Sequence, residues 1–268
     1  MQDFSYQRPA ALTAAIEAFE QAEDGRFLAG GQTLLPVMKH RLATPSDLID
    51  LAGISDLEGI SIAGSALSIG AMTTHARVAS AAEVHDAIPA LAKLAGCIGD
   101  PHVRNRGTLG GSIANNDPAA DYPAAVAGLN ATVYTDRRRI AGDDFFTGFF
   151  ETALEEGELI TRVEFPVAAA ACYQKFDDPA SGYAVVGVFV SRGSQGVRVA
   201  VTGATPCVFR MRDLEAALNR KFTPETVSGF CVPEEECNDD LHATAAYRSH
   251  LVGVMATRAV AAITDGEM

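Results

Sequence analysis

Two short stretches combine glycines with hydroxyl and amide side chains, the residue types that hold phosphate groups. The first lies in residues 27–39, FLAGGQTLLPVMK, where an apolar strand end runs into two glycines, a glutamine and a threonine. The second lies in residues 100–121, DPHVRNRGTLGGSIANNDPAAD, where three glycines surround a threonine. Glycine lets backbone come near a ligand, and consecutive N–H groups in such turns form concave anion sites. Two turns of this kind can hold the two phosphates of a dinucleotide.

Each turn alone also fits an ordinary glycine-rich surface turn. Neither is a standard nucleotide fingerprint, because the chain has no G-x-x-x-x-G-K-[ST] motif and no G-x-G-x-x-G opening a helix after a strand. A nicotinamide-type doubly wound domain is therefore not supported. The sequence also has no H-E-x-x-H pair and no G-x-S-x-G elbow, so hydrolytic catalysis has no support.

Composition and charge narrow the class of protein. The chain has 268 residues, of which 48% are hydrophobic and 21% charged, which is typical of one large or two modest well-cored domains. The net charge of −13 argues against nucleic-acid binding, which needs a basic surface. The five cysteines show no iron–sulfur or zinc spacing, so we expect reduced thiols and no metal centre on this chain. Because no targeting or membrane-spanning segment is evident, the expected location is cytoplasmic.

Hydrophobic periodicity predicts the elements that position the two turns. A strand at 26–29 should deliver the first turn, and a helix at 87–98 should precede the second, which itself reads as a loop. A strand is expected at 159–165, followed by a small-residue connector at 167–171. The remaining predicted elements are helices at 11–22, 73–79, 122–127, 212–218 and 241–263, and strands at 48–51, 56–60, 66–70, 131–134, 139–141, 183–192 and 197–203.

Several motifs together resemble one protein family. They are AGGQTLL, RGTLGGSIANNDPAAD, GELITRVEFP, YQKFDDPASGYAVVG and LHATAAYRSHLVGVMATRA, and they extend over nearly the whole chain. This set resembles the flavin-binding medium subunit of molybdenum hydroxylases, relatives of carbon monoxide dehydrogenase and xanthine dehydrogenase. The resemblance implies an α+β chain. Residues 1–170 would form the two-subdomain FAD-binding fold of the vanillyl-alcohol-oxidase (PCMH) type, and residues 171–268 a small C-terminal α+β domain with an antiparallel sheet and helices.

The resemblance also implies which residues bind FAD. They are Ala29, Gly30, Gly31, Gln32, Thr33, Leu34, Ile98, Thr108, Gly110, Gly111, Ser112, Asn115, Asp121, Leu159, Ile160, Lys175 and Tyr183. By resemblance, Asp121 accepts a hydrogen bond from a cofactor hydroxyl, Lys175 lies near the flavin, and Tyr183 lies over its ring. Gly182 stands where carbon monoxide dehydrogenase relatives have an aspartate, which leaves the orientation of this loop open.

Other roles fit several of these residues equally well on chemical grounds. Asp121 can cap the helix that begins at Tyr122, and Lys175 can be a surface lysine. Gln32 and Thr33 can serve as turn caps. The apolar residues of the set, Ile98, Leu159 and Ile160, can be core residues.

The function implied by the resemblance is electron transfer. A molybdenum-cofactor large subunit would oxidise the substrate, and an iron–sulfur small subunit would pass electrons to the FAD of this chain. An external acceptor, a quinone, a cytochrome or NAD, would then take them, within a complex holding two copies of each chain. Two alternatives remain: a stand-alone FAD-dependent oxidoreductase of the same fold, and a scaffold subunit without cofactor.

Overall fold

The structure is a computed structural model that describes residues 2–266. Helices and strands are mixed along the chain. The strands are β1 (Ser5–Gln7), β2 (Gly25–Leu28), β3 (Asp47–Asp50), β4 (Ile60–Ala63), β5 (Ala66–Gly70), β6 (Thr132–Thr135), β7 (Arg139–Ala141), β8 (Phe146–Gly148), β9 (Glu151–Thr152), β10 (Ile160–Pro166), β11 (Ala170–Asp177), β12 (Ala184–Gly193), β13 (Gly196–Thr202) and β14 (Phe209–Arg210). The α-helices are α1 (Leu12–Gln21), α2 (Leu34–Lys39), α3 (His75–Ser80), α4 (Ala82–Ala87), α5 (Pro89–Gly96), α6 (Pro101–Arg106), α7 (Leu109–Asn115), α8 (Tyr122–Gly128), α9 (Gly142–Phe145), α10 (Arg212–Arg220) and α11 (Ala245–Asp265).

The first sheet has three strands in the order β1-β3-β2, all parallel. Parallel strands need crossover connections, and here α1 connects β1 to β2 and α2 connects β2 to its neighbour β3. The first glycine turn lies at the carboxyl end of β2, directly before α2. Open parallel sheets bind ligands at the carboxyl ends of their strands, so this turn is in a favourable position for a ligand.

The second sheet has five strands in the order β4-β5-β10-β6-β7, and its central strand β10 runs antiparallel to both neighbours. Helices α3–α5, α7 and α8 share one hydrophobic core with this sheet. Leu91 and Leu94 of α5 are fully buried there, together with Val163 and Phe165 of β10. Burial of each such side chain contributes roughly 1.5–3 kcal/mol. The sheet therefore fixes the position of α7, which carries most of the second glycine motif.

The third sheet is antiparallel, in the order β11-β12-β13-β14, and α10 and α11 cover it. Its central strand β12 is buried along nearly its whole length because it has packing partners on both faces. Val188 belongs to the core under α11, whereas Phe189 packs into the core of the second sheet. The start of this sheet at Ala170 is compatible with a domain division at 170/171, which stays a prediction.

Three predicted elements differ from the structure. The second glycine motif is not a loop, because Thr108 caps a helix that includes Gly110 and Gly111. The helix expected at 87–98 is shorter, because Pro89 begins α5 and Gly96 ends it. The last helix begins at Ala245 rather than at 241, because residues before Thr244 form a turn on the Asp240 carboxylate. None of the helices in residues 2–266 combines the length and the apolar character that a membrane-spanning helix requires.

Candidate functional site

One cleft of about 570 Å³ lies between the first sheet, the helices of the second sheet and a loop of the third. All the predicted cofactor-binding residues line it except Lys175. Its size falls within the range of roughly 300–1,000 Å³ that is usual for small-molecule and cofactor sites. The structure therefore brings both glycine motifs, which are about 80 residues apart in sequence, to one site.

The first turn presents backbone N–H groups to this cleft. Gly31 has φ +74°, a left-handed conformation that glycine adopts without strain, and it turns the chain from β2 into α2. The amides of residues 30–33 have no acceptor among the described residues. The Thr33 side chain makes no capping bond either. This is the concave donor arrangement that suits an anion such as a diphosphate.

The second motif uses its amides within the protein. Gly110 N–H donates to the Ala71 carbonyl at 2.8 Å and Leu109 N–H to the Thr73 carbonyl at 3.1 Å. Gly111 N–H donates to Thr108 Oγ1 at 3.1 Å, and Ser112 N–H to the Thr108 carbonyl. The expectation that these amides face a ligand is therefore wrong, because each already has an acceptor. What this motif offers to the cleft is side chains, chiefly those of Ser112 and Asn115.

The glycines allow the two motifs to pack against each other. A Cβ built on Gly30 would collide with the Arg106 carbonyl and lie 2.7 Å from the Gly107 Cα atom. One built on Gly110 would lie 2.6 Å from the Ala71 Cβ. In both cases the added atom would meet another segment of the protein and would not point into the cleft. Close backbone packing, rather than approach of a ligand, is the reason for glycine at these positions.

Asp121 anchors a buried polar group behind the cleft wall. The Asp121 carboxylate accepts a hydrogen bond from the Tyr173 hydroxyl at 2.5 Å and forms an ion pair with the Lys175 ammonium group at 3.0 Å. Its side chain makes no hydrogen bond that caps α8. Its alternative role as an N-cap is therefore wrong. Burial raises the pKa of Asp121, and Lys175 and Tyr173 oppose that rise by stabilising the carboxylate. Burial also raises the pKa of Tyr173 well above its ordinary value, so this hydroxyl keeps its proton.

Lys175 does not reach the cleft. Its ammonium group is used by Asp121 and by the Cys97 carbonyl, at 3.1 Å, and its side chain is 6% exposed. Lys175 is therefore not a surface lysine, and its position near the flavin stays a prediction. Its charge acts on the cleft through Asp121, which does line the wall.

Tyr183 lies on a tight loop whose shape the Asp178 carboxylate fixes. Asp178 accepts bonds from Ala180 N–H, Ser181 N–H and the Ser181 hydroxyl, and these bonds lower its pKa to about 2. Gly182 has φ +71°, so the glycine that replaces the family aspartate supplies a left-handed turn. The Tyr183 side chain is 48% exposed while lining the cleft. It is the aromatic group at the boundary between cleft and solvent.

The remaining lining includes apolar residues and two polar residues, Glu158 and His75, that the sequence did not indicate. Leu159 and Ile160 are almost fully buried while lining the cleft, so their two predicted roles, core packing and cofactor contact, are compatible. Glu158 also lines the cleft, and hydrogen bonds from Arg138 lower its pKa to about 2. His75 was missed as well, because a lone histidine has no spacing pattern that reveals it.

Comparison with known proteins places this geometry in a family. Residues 2–168 match the family described as "FAD binding domain in molybdopterin dehydrogenase". The chain belongs to this family. The chain is 35% identical to the carbon monoxide dehydrogenase medium chain of Hydrogenophaga pseudoflava over 96% of each chain. It is also 35% identical to the nicotine 6-hydroxylase medium subunit of Paenarthrobacter nicotinovorans over 95% of each.

Solved structures of two relatives share the whole fold. Carbon monoxide dehydrogenase from Hydrogenophaga pseudoflava matches with a TM-score of 0.90 and 35% identity over 98% of both chains. Quinoline 2-oxidoreductase from Pseudomonas putida 86 matches with a TM-score of 0.90 and 31% identity, over 99% of this chain and 98% of that one. The chain is thus an FAD-containing subunit of an oxidoreductase, and the predicted two-subdomain FAD-binding fold is confirmed. The free amides of the first turn and the apolar wall fit that cofactor.

Proposed function

We propose that this chain relays electrons from an iron–sulfur partner chain, through FAD, to an external acceptor. The observation that carries the proposal is the division of the cleft into a polar and an apolar part. The first turn offers unpaired amides for a diphosphate, and Leu159 and Ile160 offer an apolar wall for a flavin ring. FAD, when bound, accepts electrons one at a time and delivers them as a pair.

Two observations support an electron-relay subunit rather than a chain that oxidises substrate itself. In residues 2–266, no group of three His, Cys, Asp or Glu side chains could hold a metal ion. The relatives named above are called medium chains or medium subunits, which implies companion chains. We therefore propose a molybdenum-cofactor large subunit and an iron–sulfur small subunit as partners, two copies of each, in the cytoplasm. The large subunit determines the substrate.

The chain's own residues have distinct tasks in this relay. The amides of residues 30–33 bind the diphosphate, and Ser112 and Asn115 bind neighbouring hydroxyls. Asp121, held by Tyr173 and Lys175, accepts a hydrogen bond from the cofactor with a lone pair that these two leave free. Tyr183 covers the ring at the solvent boundary and controls access of the acceptor.

The decisive experiment removes FAD from the complete complex. Substrate should still reduce the iron–sulfur centres, while turnover with the physiological acceptor stops. Loss of the reduction of those centres would show that electrons follow another path. Re-addition of FAD serves as the control and should restore turnover.

Two simpler measurements separate the alternatives. A visible absorption spectrum of the purified chain distinguishes a flavoprotein from a scaffold without cofactor, and acid precipitation should release the flavin into the supernatant. Native mass spectrometry of the protein from its own host should show the companion chains, because interfaces of such complexes bury roughly 1,200 Å² or more. A lone chain that turns over substrate would instead support the stand-alone flavoenzyme.

A further inference from the structure

His75 lies directly behind the second glycine motif. It is the first residue of α3, is 4% exposed and lines the cleft. Its backbone N–H donates to the Gly107 carbonyl at 3.0 Å. A Cβ built on Gly107 would lie 2.5 Å from the imidazole Nε2 atom. Because Gly107 has an ordinary φ of −59°, the space taken by this imidazole explains the glycine, and the backbone conformation does not.

Two buried polar atoms near this position have no partner. His75 Nδ1 and the Tyr122 hydroxyl both lack a hydrogen bond with any described residue, although neither is accessible to solvent. Their rings are neighbours, with centroids 5.4 Å apart and planes inclined by 46°. Buried polar groups without partners are rare and costly in native proteins. Since one ring carries a hydroxyl donor and the other a ring nitrogen, each can satisfy the other after a small shift or through one water.

The charge state of both rings follows from burial. Burial, assisted by the positive charge of Arg104, lowers the pKa of His75 to about 4, so the imidazole is neutral near pH 7. Burial raises the pKa of Tyr122, so its hydroxyl keeps the proton and can donate it. A neutral imidazole has one donor and one acceptor nitrogen. If Nδ1 accepts from Tyr122, the donor is Nε2–H, beside Gly107 in the cleft wall.

The side of the cleft formed by the second glycine motif lacks free backbone hydrogen-bond donors at residues 109–112. The amides of residues 109–112 are used within the protein, so the second motif cannot offer them to an anionic or hydroxyl-rich ligand. We propose that His75 is a further FAD-binding residue, whose Nε2–H donates a hydrogen bond to an oxygen of the diphosphate–ribityl part of the cofactor, and that Tyr122 positions its ring through Nδ1. The inference concerns binding of FAD and is independent of the electron path.

The test compares amides that imitate one ring nitrogen or the other. In His75→Gln the amide nitrogen lies near the place of Nε2, and in His75→Asn near that of Nδ1. FAD release from the loaded full-length chain is followed by the rise of flavin fluorescence after dilution. We expect release to be about tenfold faster in His75→Ala and His75→Asn, the factor that one such hydrogen bond is worth, and within about threefold of wild type in His75→Gln.

Tyr122→Phe tests the second half of the proposal with a smaller change. It removes only the unpartnered hydroxyl, and release should become roughly two- to fivefold faster because the ring loses its orientation. Thermal unfolding of each variant without FAD shows whether the fold itself has changed. A merely space-filling imidazole would give equal release from His75→Gln and His75→Asn, and this result, or wild-type release from His75→Ala, would overturn the proposal.

A double substitution tests the contact with Gly107. Gly107→Ala should accelerate FAD release strongly in the wild-type chain, because the new methyl group displaces the imidazole. In the His75→Ala background the same change should add less than about twofold, since residues in contact give non-additive effects. Fully additive effects would show that Gly107 is required for another reason and that the imidazole is not held where the proposal needs it.

Discussion

The two glycine motifs look alike in sequence but differ in the way they use their backbone. The first, residues 30–33, leaves its amides without acceptors in the described structure and directs them at the cleft. In the second, the amides of residues 109–112 donate to the carbonyl groups of Ala71 and Thr73 and to the carbonyl and hydroxyl oxygens of Thr108. The first motif is thus a donor surface for an anion, whereas the second is a packed support that contributes side chains. A glycine-rich pattern alone does not distinguish these two uses.

The glycines themselves differ in the same sense. Gly31 is required by its φ of +74°, and the nearest atoms to an added Cβ belong to the Leu35 side chain. Gly30, Gly107 and Gly110 have no positive φ, but an added Cβ at each would meet a neighbouring segment. Conformation explains the first glycine and close packing the others. Substitutions can separate these causes, because a flexible side chain can move and backbone cannot.

The largest effect is expected from Gly30→Ala, which breaks the contact between the motifs. The new methyl group would meet the backbone of Arg106 and Gly107, so the two motifs must separate. Overpacking of this kind costs about 3 kcal/mol. Urea unfolding without FAD should show that loss, and the purified variant should contain little FAD. Gly193→Ala is the matched control, because nothing lies within 4 Å of the added atom there. Equal stability of the two variants would refute the packing explanation.

The next largest effect is a dependence of stability on pH that arises from His75, which lies behind the second motif. His75 has a pKa of about 4 in the folded chain and 6.5 when unfolded, so the unfolded state binds more protons between these values. The free energy of unfolding should therefore decrease as the pH is lowered through this window, by about 2 kcal/mol between pH 7 and pH 5. The groups facing the imidazole are Arg104 and Tyr122, and neither changes charge in that range.

Urea unfolding of the chain without FAD at pH 7 and pH 5 tests this expectation. His75→Gln is the control, since its amide cannot titrate and the decline should shrink by that amount. Glu158 has a pKa of about 2 in the folded chain and 4.5 when unfolded. Its hydrogen-bonded carboxylate therefore stabilises the fold fully above pH 4.5, and this stabilisation is lost only below that pH, so Glu158 does not affect the comparison between pH 7 and pH 5. An unchanged decline in the variant would mean that other groups cause it.

Sequence reasoning located the cleft well because its signals are local. The strand that ends at the first turn and the central strand β10 follow from apolar patterns, and both motifs are contiguous. It failed where three-dimensional contacts decide. The helix at the second motif depends on Thr108 accepting a hydrogen bond from Gly111. Lys175 is held behind the cleft wall by Asp121, which is 54 residues away in sequence. His75 matters only because folding places it beneath Gly107.

A smaller effect should separate conformation from packing. Gly31→Ala places a side chain in a left-handed conformation, which costs roughly 1–2 kcal/mol, and Gly31→Asn should cost less because asparagine tolerates that region. At Gly110 the order should reverse, since the larger asparagine presses harder on Ala71. Urea unfolding of the four variants gives both rankings. The same ranking at both positions would remove the distinction between the two glycines.

The smallest effect on stability is expected from the two threonines that directly precede α2 and α7, Thr33 and Thr108. Thr108 caps α7 through its hydroxyl, whereas Thr33 precedes α2 without any capping bond. Thr108→Val should therefore lower stability without FAD by about 1 kcal/mol, the usual value of an N-cap, while Thr33→Val should change it little. Binding of FAD should show the opposite order, because the Thr33 hydroxyl is free for the ligand and the Thr108 hydroxyl is already used. Unfolding in urea and FAD release, measured on the same two variants, give both orders. If Thr108→Val weakens binding more than Thr33→Val, the second motif contacts the cofactor directly and is not merely its support.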